Sequence, residues 1–136
     1  MAKITEEMKG VVAKTKGFAV ATATKDGDPH VIPVGFAKVL SDEEILLMDV
    51  FMKMTVENIK ANPKVAVSVW DMAGMKGYEF KGDARIESSG NIYDEGVKWV
   101  KAVMPDFPVT PKAAVVVKVI SVYETSPGPN AGRKVD

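Results

Sequence analysis

The sequence predicts a mainly β fold, in which six antiparallel strands joined by short helices form a small closed or half-open barrel. Six segments show the apolar alternation or β-branched enrichment that is typical of half-buried strands. Tight turns, such as that at residues 25–29, join consecutive strands and leave no room for helical crossovers. An alternating parallel α/β sheet is therefore the weaker interpretation.

Length and composition indicate one globular domain. The chain has 136 residues, 46% of them hydrophobic, which suits a single domain over residues 1–125 with an irregular tail over residues 126–136. Basic and acidic residues both total 18, so no net charge favours nucleic acid or an anionic membrane. The polar start is unlike a signal peptide and no apolar run approaches a membrane span, so we expect a cytoplasmic protein.

Several classes of catalytic site are excluded by composition. The chain has no cysteine, which rules out disulfides, thiolate metal ligands and cysteine nucleophiles. The single histidine, His30, leaves no histidine-rich metal site and no partners for a serine–histidine–aspartate triad. No side chain stands out as an acid–base catalyst, so we expect no metal and assign no catalytic residue.

The first half of the chain alternates short helices with strands. Ile4, Met8 and Val11 recur at helical spacing behind Thr5, a plausible N-cap. A strand over residues 18–24 has one small-residue face, which permits close approach by a partner or ligand. A second strand is expected over residues 30–39. Because Pro29 and Pro33 donate no backbone hydrogen bond, residues 30–36 should lie at a sheet edge or beside a break.

The second half continues the pattern after a third strand at residues 45–50. We expect strands at residues 64–71, 78–87 and 113–123. A helix precedes the first of these and ends at Asn62-Pro63. Another helix, capped by Asn91, and a proline-rich connector precede the last strand.

A candidate anion site lies where the third strand runs directly into a helix. A helix N-terminus presents unpaired N–H groups and a partial positive charge. Lys53 adds a charge, Thr55 a hydroxyl and Asn58 an amide, so together they could hold a phosphate. The alternative is that Thr55 simply caps the helix while the other two side chains are solvated.

Three segments in order resemble the pyridoxamine 5'-phosphate oxidase-like family of FMN-binding split barrels. The first consists of residues 17–22 and 26–36, the second of residues 53–67, and the third of residues 77–84. The resemblance implies a six-stranded antiparallel split β-barrel that binds FMN. It also implies a homodimer with each flavin near the subunit interface.

The same resemblance implies where the cofactor would lie. Backbone groups near residues 33–35 would meet the pyrimidine edge of the flavin, residues 48–50 would run beside the ring, and the helix start would face the phosphate. Met54 stands where many relatives carry lysine or arginine. The implied FMN-binding residues are Pro33, Val34, Gly35, Met48, Asp49, Val50, Lys53, Met54, Thr55 and Asn58.

The resemblance implies a flavin-dependent oxidoreductase or electron carrier. The alternatives are a deazaflavin-dependent reductase and a non-enzymatic FMN carrier or dimeric scaffold. Oxidation of pyridoxamine phosphate itself is less favoured, since a second phosphate would need further cations and arginine occurs only at Arg85 and Arg133.

Overall fold

The computed structural model describes residues 2–136, which form one curled antiparallel sheet with three helices. This confirms the mainly β class with short helices. No helix among these residues is long and apolar enough to cross a membrane. The elements are α1 (Glu6–Lys14), β1 (Phe18–Ala23), β2 (Pro29–Val34), β3 (Ala37–Ser41), β4 (Glu44–Asp49), α2 (Met54–Ala61), β5 (Lys64–Asp71), β6 (Lys76–Glu87), α3 (Asn91–Val103) and β7 (Ala113–Glu124).

The predicted number of strands is wrong by one, because the described residues form seven rather than six. The stretch at residues 30–39 is two strands, β2 and β3, separated by a bend at Gly35 and Phe36. Apolar residues continue across this bend, so periodicity alone could not reveal it. The prediction that Pro33 lies on an edge strand is confirmed.

The strand order explains why the sheet curls. The order is β2-β1-β5-β6-β7-β4-β3, with every neighbouring pair antiparallel. The two edge strands, β2 and β3, follow one another in the chain with only residues 35 and 36 between them. So short a connection spans about 10 Å at most. The two edges must therefore approach each other, which makes the sheet a half-barrel with a split between them.

The main core fills the inside of this half-barrel. Val20, Val67, Phe80 and Val117 are fully buried there, one from each of four strands. Helix α1 packs against the same core through Met8, Val11 and Val12. Burial of apolar area on this scale is the main stabilising contribution to the fold.

Helix α3 covers one part of the outer sheet face and leaves another bare. Val100 packs against Leu46 and Met48 of β4 and against Ala114 and Val116 of β7. The outer face of β1 and β5 has no such cover among the described residues. Its small side chains, such as Ala21 and Ala66, remain half-buried.

The tail folds back along the last strand. The Glu124 N–H donates to the Arg133 carbonyl at 2.8 Å, and the Val135 N–H donates to the Val122 carbonyl at 2.9 Å. Val135 packs against the main core. Residues 126–136 therefore pair alongside the C-terminal end of β7, beyond the part that pairs with β4, without forming a helix or strand of their own.

Candidate cofactor site

A cavity of about 440 Å³ lies where the split between β2 and β3 meets the end of β4. Its lining carries no titratable side chain. Cavities of this size with apolar walls and accessible backbone groups are typical of cofactor sites. The lining residues are Ile32, Pro33, Val34, Gly35, Phe36, Met48, Val50, Phe51, Met52 and Phe107.

The structure brings half of the predicted cofactor residues together at this cavity. Those lining it are Pro33, Val34, Gly35, Met48 and Val50. The other five do not line it: Asp49 ends β4, Lys53 directly precedes α2, and Met54, Thr55 and Asn58 lie in α2. Their contact with a cofactor stays a prediction.

The edge position of β2 leaves backbone groups available at the cavity. Residues from Phe18 to Ala23 pair with one side of β2, and the other side has no strand neighbour. Val34 closes the pairing opposite Phe18, and Gly35 follows it without a strand partner. Unpaired backbone amides and carbonyls are the groups that recognise the polar edge of a planar ligand.

Asp49 organises the turn between β4 and α2. Its carboxylate is buried and accepts a hydrogen bond from the Met52 N–H at 2.9 Å. Its backbone carbonyl accepts from the Lys112 N–H at 2.8 Å. The side chain is therefore engaged in fixing the loop that presents Phe51 and Met52 to the cavity.

Lys53 is the N-cap of α2 and has an unusual backbone conformation. Its φ is 32° and its ψ is −93°, and no side chain caps the helix. A positive φ at a residue with a Cβ costs about 1–3 kcal/mol, and such strain concentrates at ligand sites. The Lys53 and Met54 side chains are exposed, that of Met54 by 56%.

Thr55 carries the clearest sign of a missing partner. It is fully buried in the first turn of α2, and its hydroxyl has no hydrogen-bond partner among the described residues. Since Lys53 occupies the N-cap, the alternative that Thr55 caps the helix is wrong. Buried hydroxyls almost always find a partner, so a ligand oxygen suits this position.

Asn58 attaches α2 to the sheet. Its side-chain amide donates to the Thr22 hydroxyl at 3.0 Å, and both residues are buried. Thr22, on the inner side of β1, therefore sets the position of the helix start. The sequence analysis missed Thr22, because only the folded chain brings residues 36 positions apart together.

Aromatic side chains that the sequence analysis did not assign form one wall of the cavity. Phe36 packs edge-on against Phe107 with ring centroids 5.1 Å apart, and against Trp99 at 6.3 Å. The Tyr93 hydroxyl donates to the Pro111 carbonyl at 2.8 Å and holds the connector that carries Phe107. Phe107 lies in a segment without periodicity, so no sequence signal indicated it.

A second polar cluster lies away from this cavity, between α1 and the tail. The Tyr78 hydroxyl donates to Glu7 at 2.5 Å, and Lys76 lies 3.0 Å from Glu124. Burial, reinforced by Glu7, raises the pKa of Tyr78 to about 12. Arg133 lies 3.9 Å from Glu124, so the tail arginine joins this cluster rather than the start of α2. The two cations of the cluster, Lys76 and Arg133, are balanced by the two carboxylates, Glu7 and Glu124, which argues against an anion site here.

Comparisons with known proteins agree with this fold. The family model of pyridoxamine 5'-phosphate oxidase matches residues 4–126. An uncharacterized protein of Methanocaldococcus jannaschii is 38% identical over 135 residues, covering 98% of this chain and 88% of the relative. The crystal structure of HupZ from Group A Streptococcus has a TM-score of 0.82 at 29% identity, covering 95% of this chain and 99% of that one.

Two more distant structures share the fold. An FMN-binding protein of Syntrophomonas wolfei has a TM-score of 0.73 at 15% identity, over 87% of this chain and 83% of its own. An F420 reductase has a TM-score of 0.62 at 23% identity, over 84% of this chain and 94% of its own. At these identities the likeness establishes the split-barrel architecture and nothing finer.

Proposed function

The chain belongs to the pyridoxamine 5'-phosphate oxidase family, and from this membership we propose that it binds FMN non-covalently in the cavity beside β2 and β4. We further propose that it acts as a flavin-dependent oxidoreductase or electron carrier. When bound, FMN supplies the one- and two-electron chemistry. The chain's own residues hold the ring and exclude water from it.

The observation that carries this proposal is the hydroxyl of Thr55, buried without a partner among the described residues, three positions after Met52 of the apolar cavity lining. FMN is a planar ring joined by a chain to a phosphate, and the site offers a matching sequence of environments. Backbone groups near Gly35 suit the polar ring edge, and apolar walls suit the ring. The N–H groups of α2, the Thr55 hydroxyl and the Lys53 ammonium suit the phosphate.

The absence of a titratable side chain from the described cavity lining limits the chemistry that the protein itself can contribute. General acid–base catalysis needs a group within hydrogen-bond reach of the reacting atoms. Electron or hydride transfer through a bound flavin needs no such group. This favours a role in which the protein orients the cofactor and tunes its environment.

Oxidation of pyridoxamine phosphate is not the function that we propose. That substrate needs a cationic site for its own phosphate. Arg85 already bonds Glu44 and Glu87, both at 2.7 Å, and Arg133 pairs with Glu124. Neither guanidinium lines the cavity.

A deazaflavin-dependent reductase is the second candidate. Met54, in the place where a cation is expected in FMN-binding relatives, weakens the case for a strong FMN phosphate contact. An F420 reductase also shares the fold. A non-enzymatic FMN carrier or an empty dimeric scaffold would follow if the protein binds FMN without turnover, or binds no cofactor.

We also propose that the protein is a homodimer that uses the bare outer face of β1, β5 and β6. A cleft of about 580 Å³ runs along this face, with Ala21 and Ala66 directly opposite one another at its floor. Small side chains permit close approach of another backbone. Lys81 and Asp83 on the same strand offer both charges to a two-fold related copy. Sedimentation of the Ala66→Arg variant tests this, with a monomer expected.

The experiment that tests the cofactor proposal is an absorption spectrum of the purified protein, followed by titration of the stripped protein with FMN and riboflavin. Flavin bands together with a preference for FMN would support both the cavity and the phosphate site. A single violet band would indicate a deazaflavin. If the purified protein shows no cofactor absorption and the stripped protein binds neither FMN nor riboflavin, the flavin proposal is overturned and the dimeric scaffold remains.

A further inference from the structure

Gly96 occupies a position where glycine is intrinsically unfavourable. It is buried in the interior of α3, whose residues have ordinary helical conformations, and glycine weakens a helix there. An added Cβ would lie 2.5 Å from the Met48 Sδ and 2.8 Å from its Cε. Real Cβ atoms do not approach other atoms so closely, so any larger residue at position 96 requires the end of the Met48 side chain to move.

Met48 lies between α3 and the cofactor cavity. Its backbone is fixed, because β4 pairs with β7 at Ala114 and the Met48 N–H donates to the Phe36 carbonyl at 2.9 Å. Around its side chain, Leu46 and Val116 are buried in the same cluster. Met48 also lines the cavity, which is the free space next to it within the described structure.

We propose that Gly96 is a positioning residue that sets the width of the flavin cavity. By lacking a Cβ, it lets the Met48 thioether lie against α3 instead of projecting into the space that the ring needs. Any larger residue at position 96 would push Met48 toward the cavity, because closely packed side chains fill the other directions. This inference rests on the proposed function.

The test is to titrate the Gly96→Ala variant with riboflavin and FMN. We expect affinity for both ligands to fall by the same factor, about tenfold or more, since both share the ring and only FMN has the phosphate. The position of the bound flavin absorption band should also shift, because Met48 changes the surroundings of the ring. A purely structural role would lower the melting temperature without changing affinity.

Gly10→Ala is a matched control. Gly10 also lies inside a helix, α1, but is exposed and has nothing within 4 Å of an added Cβ. This variant should melt at a slightly higher temperature and bind both ligands as the wild type does. A loss of affinity here would mean that a methyl group added to a helix without any contact with Met48 also weakens binding, which would overturn the inference.

Removing the Met48 side chain separates the outcomes further. In a Met48→Ala background, Gly96→Ala should leave riboflavin affinity unchanged, because the clash requires the Met48 thioether. If the double variant binds riboflavin more weakly than Met48→Ala does, the proposal is overturned. This comparison remains available even if the single Gly96→Ala variant does not fold. If the Gly96→Ala variant folds and binds riboflavin and FMN as the wild type does, this inference is overturned but the proposed function is not. Failure of the wild type to bind any flavin would overturn it together with the proposed function.

Discussion

The first turns of α1 and α2 begin similar short helices in opposite ways. At α1, the Thr5 hydroxyl accepts from the Met8 N–H at 3.3 Å, and the Met8 sulfur accepts from the Thr5 N–H at 3.5 Å. At α2, Lys53 provides no side-chain cap and has a positive φ. The Thr55 hydroxyl beside it is buried without a partner.

The difference is the one expected if the start of α1 serves stability and the start of α2 serves the proposed binding site. A helix N-terminus leaves four N–H groups without internal partners, and a cap satisfies some of them. The start of α1 uses its own side chains for this. The start of α2 has no side-chain cap, although the Thr55 N–H donates to the Met52 carbonyl at 2.8 Å, and a bound anion would offset the local strain at Lys53.

Of the variants at the two helix starts, Thr55→Val should have the largest effect on FMN affinity. We expect FMN affinity to fall about ten- to a hundredfold, because a hydrogen bond to a charged oxygen contributes about 1.5–3 kcal/mol. The ligand-free protein should not lose stability, since a methyl group replaces a hydroxyl that has no partner. Fluorescence titration and thermal unfolding measure the two quantities. If the Thr55→Val variant binds FMN with wild-type affinity, Thr55 does not contact the cofactor.

Thr5→Val is the same chemical change at the other helix and should have the opposite signature. Loss of the cap should lower the free energy of unfolding by about 1 kcal/mol. FMN affinity should stay at the wild-type value, because Thr5 lies away from the cavity. Urea unfolding and the same FMN titration check this. A parallel loss of FMN affinity would show that the two helix starts are not independent.

Lys53→Ala should have a smaller effect on binding. The Lys53 ammonium is exposed, so we expect FMN affinity to fall only about two- to fivefold. Riboflavin affinity should not change, and the effect on FMN should shrink at high salt. Titrations with both ligands at two salt concentrations measure this. An equal effect on both ligands would mean that Lys53 does not meet the phosphate.

The smallest effect concerns the paired charges near α1. Lys76, hydrogen-bonded to Glu124, holds the pKa of that carboxyl below its ordinary value of 4.5. A lowered pKa in the folded state contributes stability that is present above pH 4.5 and is lost as the pH falls through the folded-state value. Glu124→Gln should therefore show a shallower loss of melting temperature in acid than the wild type. An identical acid profile would contradict this role.

Much of the architecture could be predicted from local patterns. The Thr5 cap, the hairpin of β1 and β2, and the limits of β5 were predicted and are observed. Each depends on residues close together in the chain. The division of residues 30–39 into β2 and β3 was not predicted, because a bend at Gly35 does not interrupt the run of apolar side chains.

The site was predicted less completely, for a physical reason. The backbone segment near Gly35 could be selected because its own sequence resembles the family pattern, and Met48 because that resemblance implies that residues 48–50 run beside the ring. Phe107 and Thr22 could not, because their roles depend on packing partners far away in the chain. The close contact of Gly96 with Met48 is of the same kind.

By itself, the sequence determined the mainly β class, the absence of cysteine chemistry and the helix start that bears Lys53, Thr55 and Asn58. These follow from composition and from interactions within a few residues. Only the tertiary structure decided that Thr55 is buried without a partner while Asn58 is already bonded to Thr22. Burial and pairing depend on which distant segments the curled sheet brings together, and no local pattern records that.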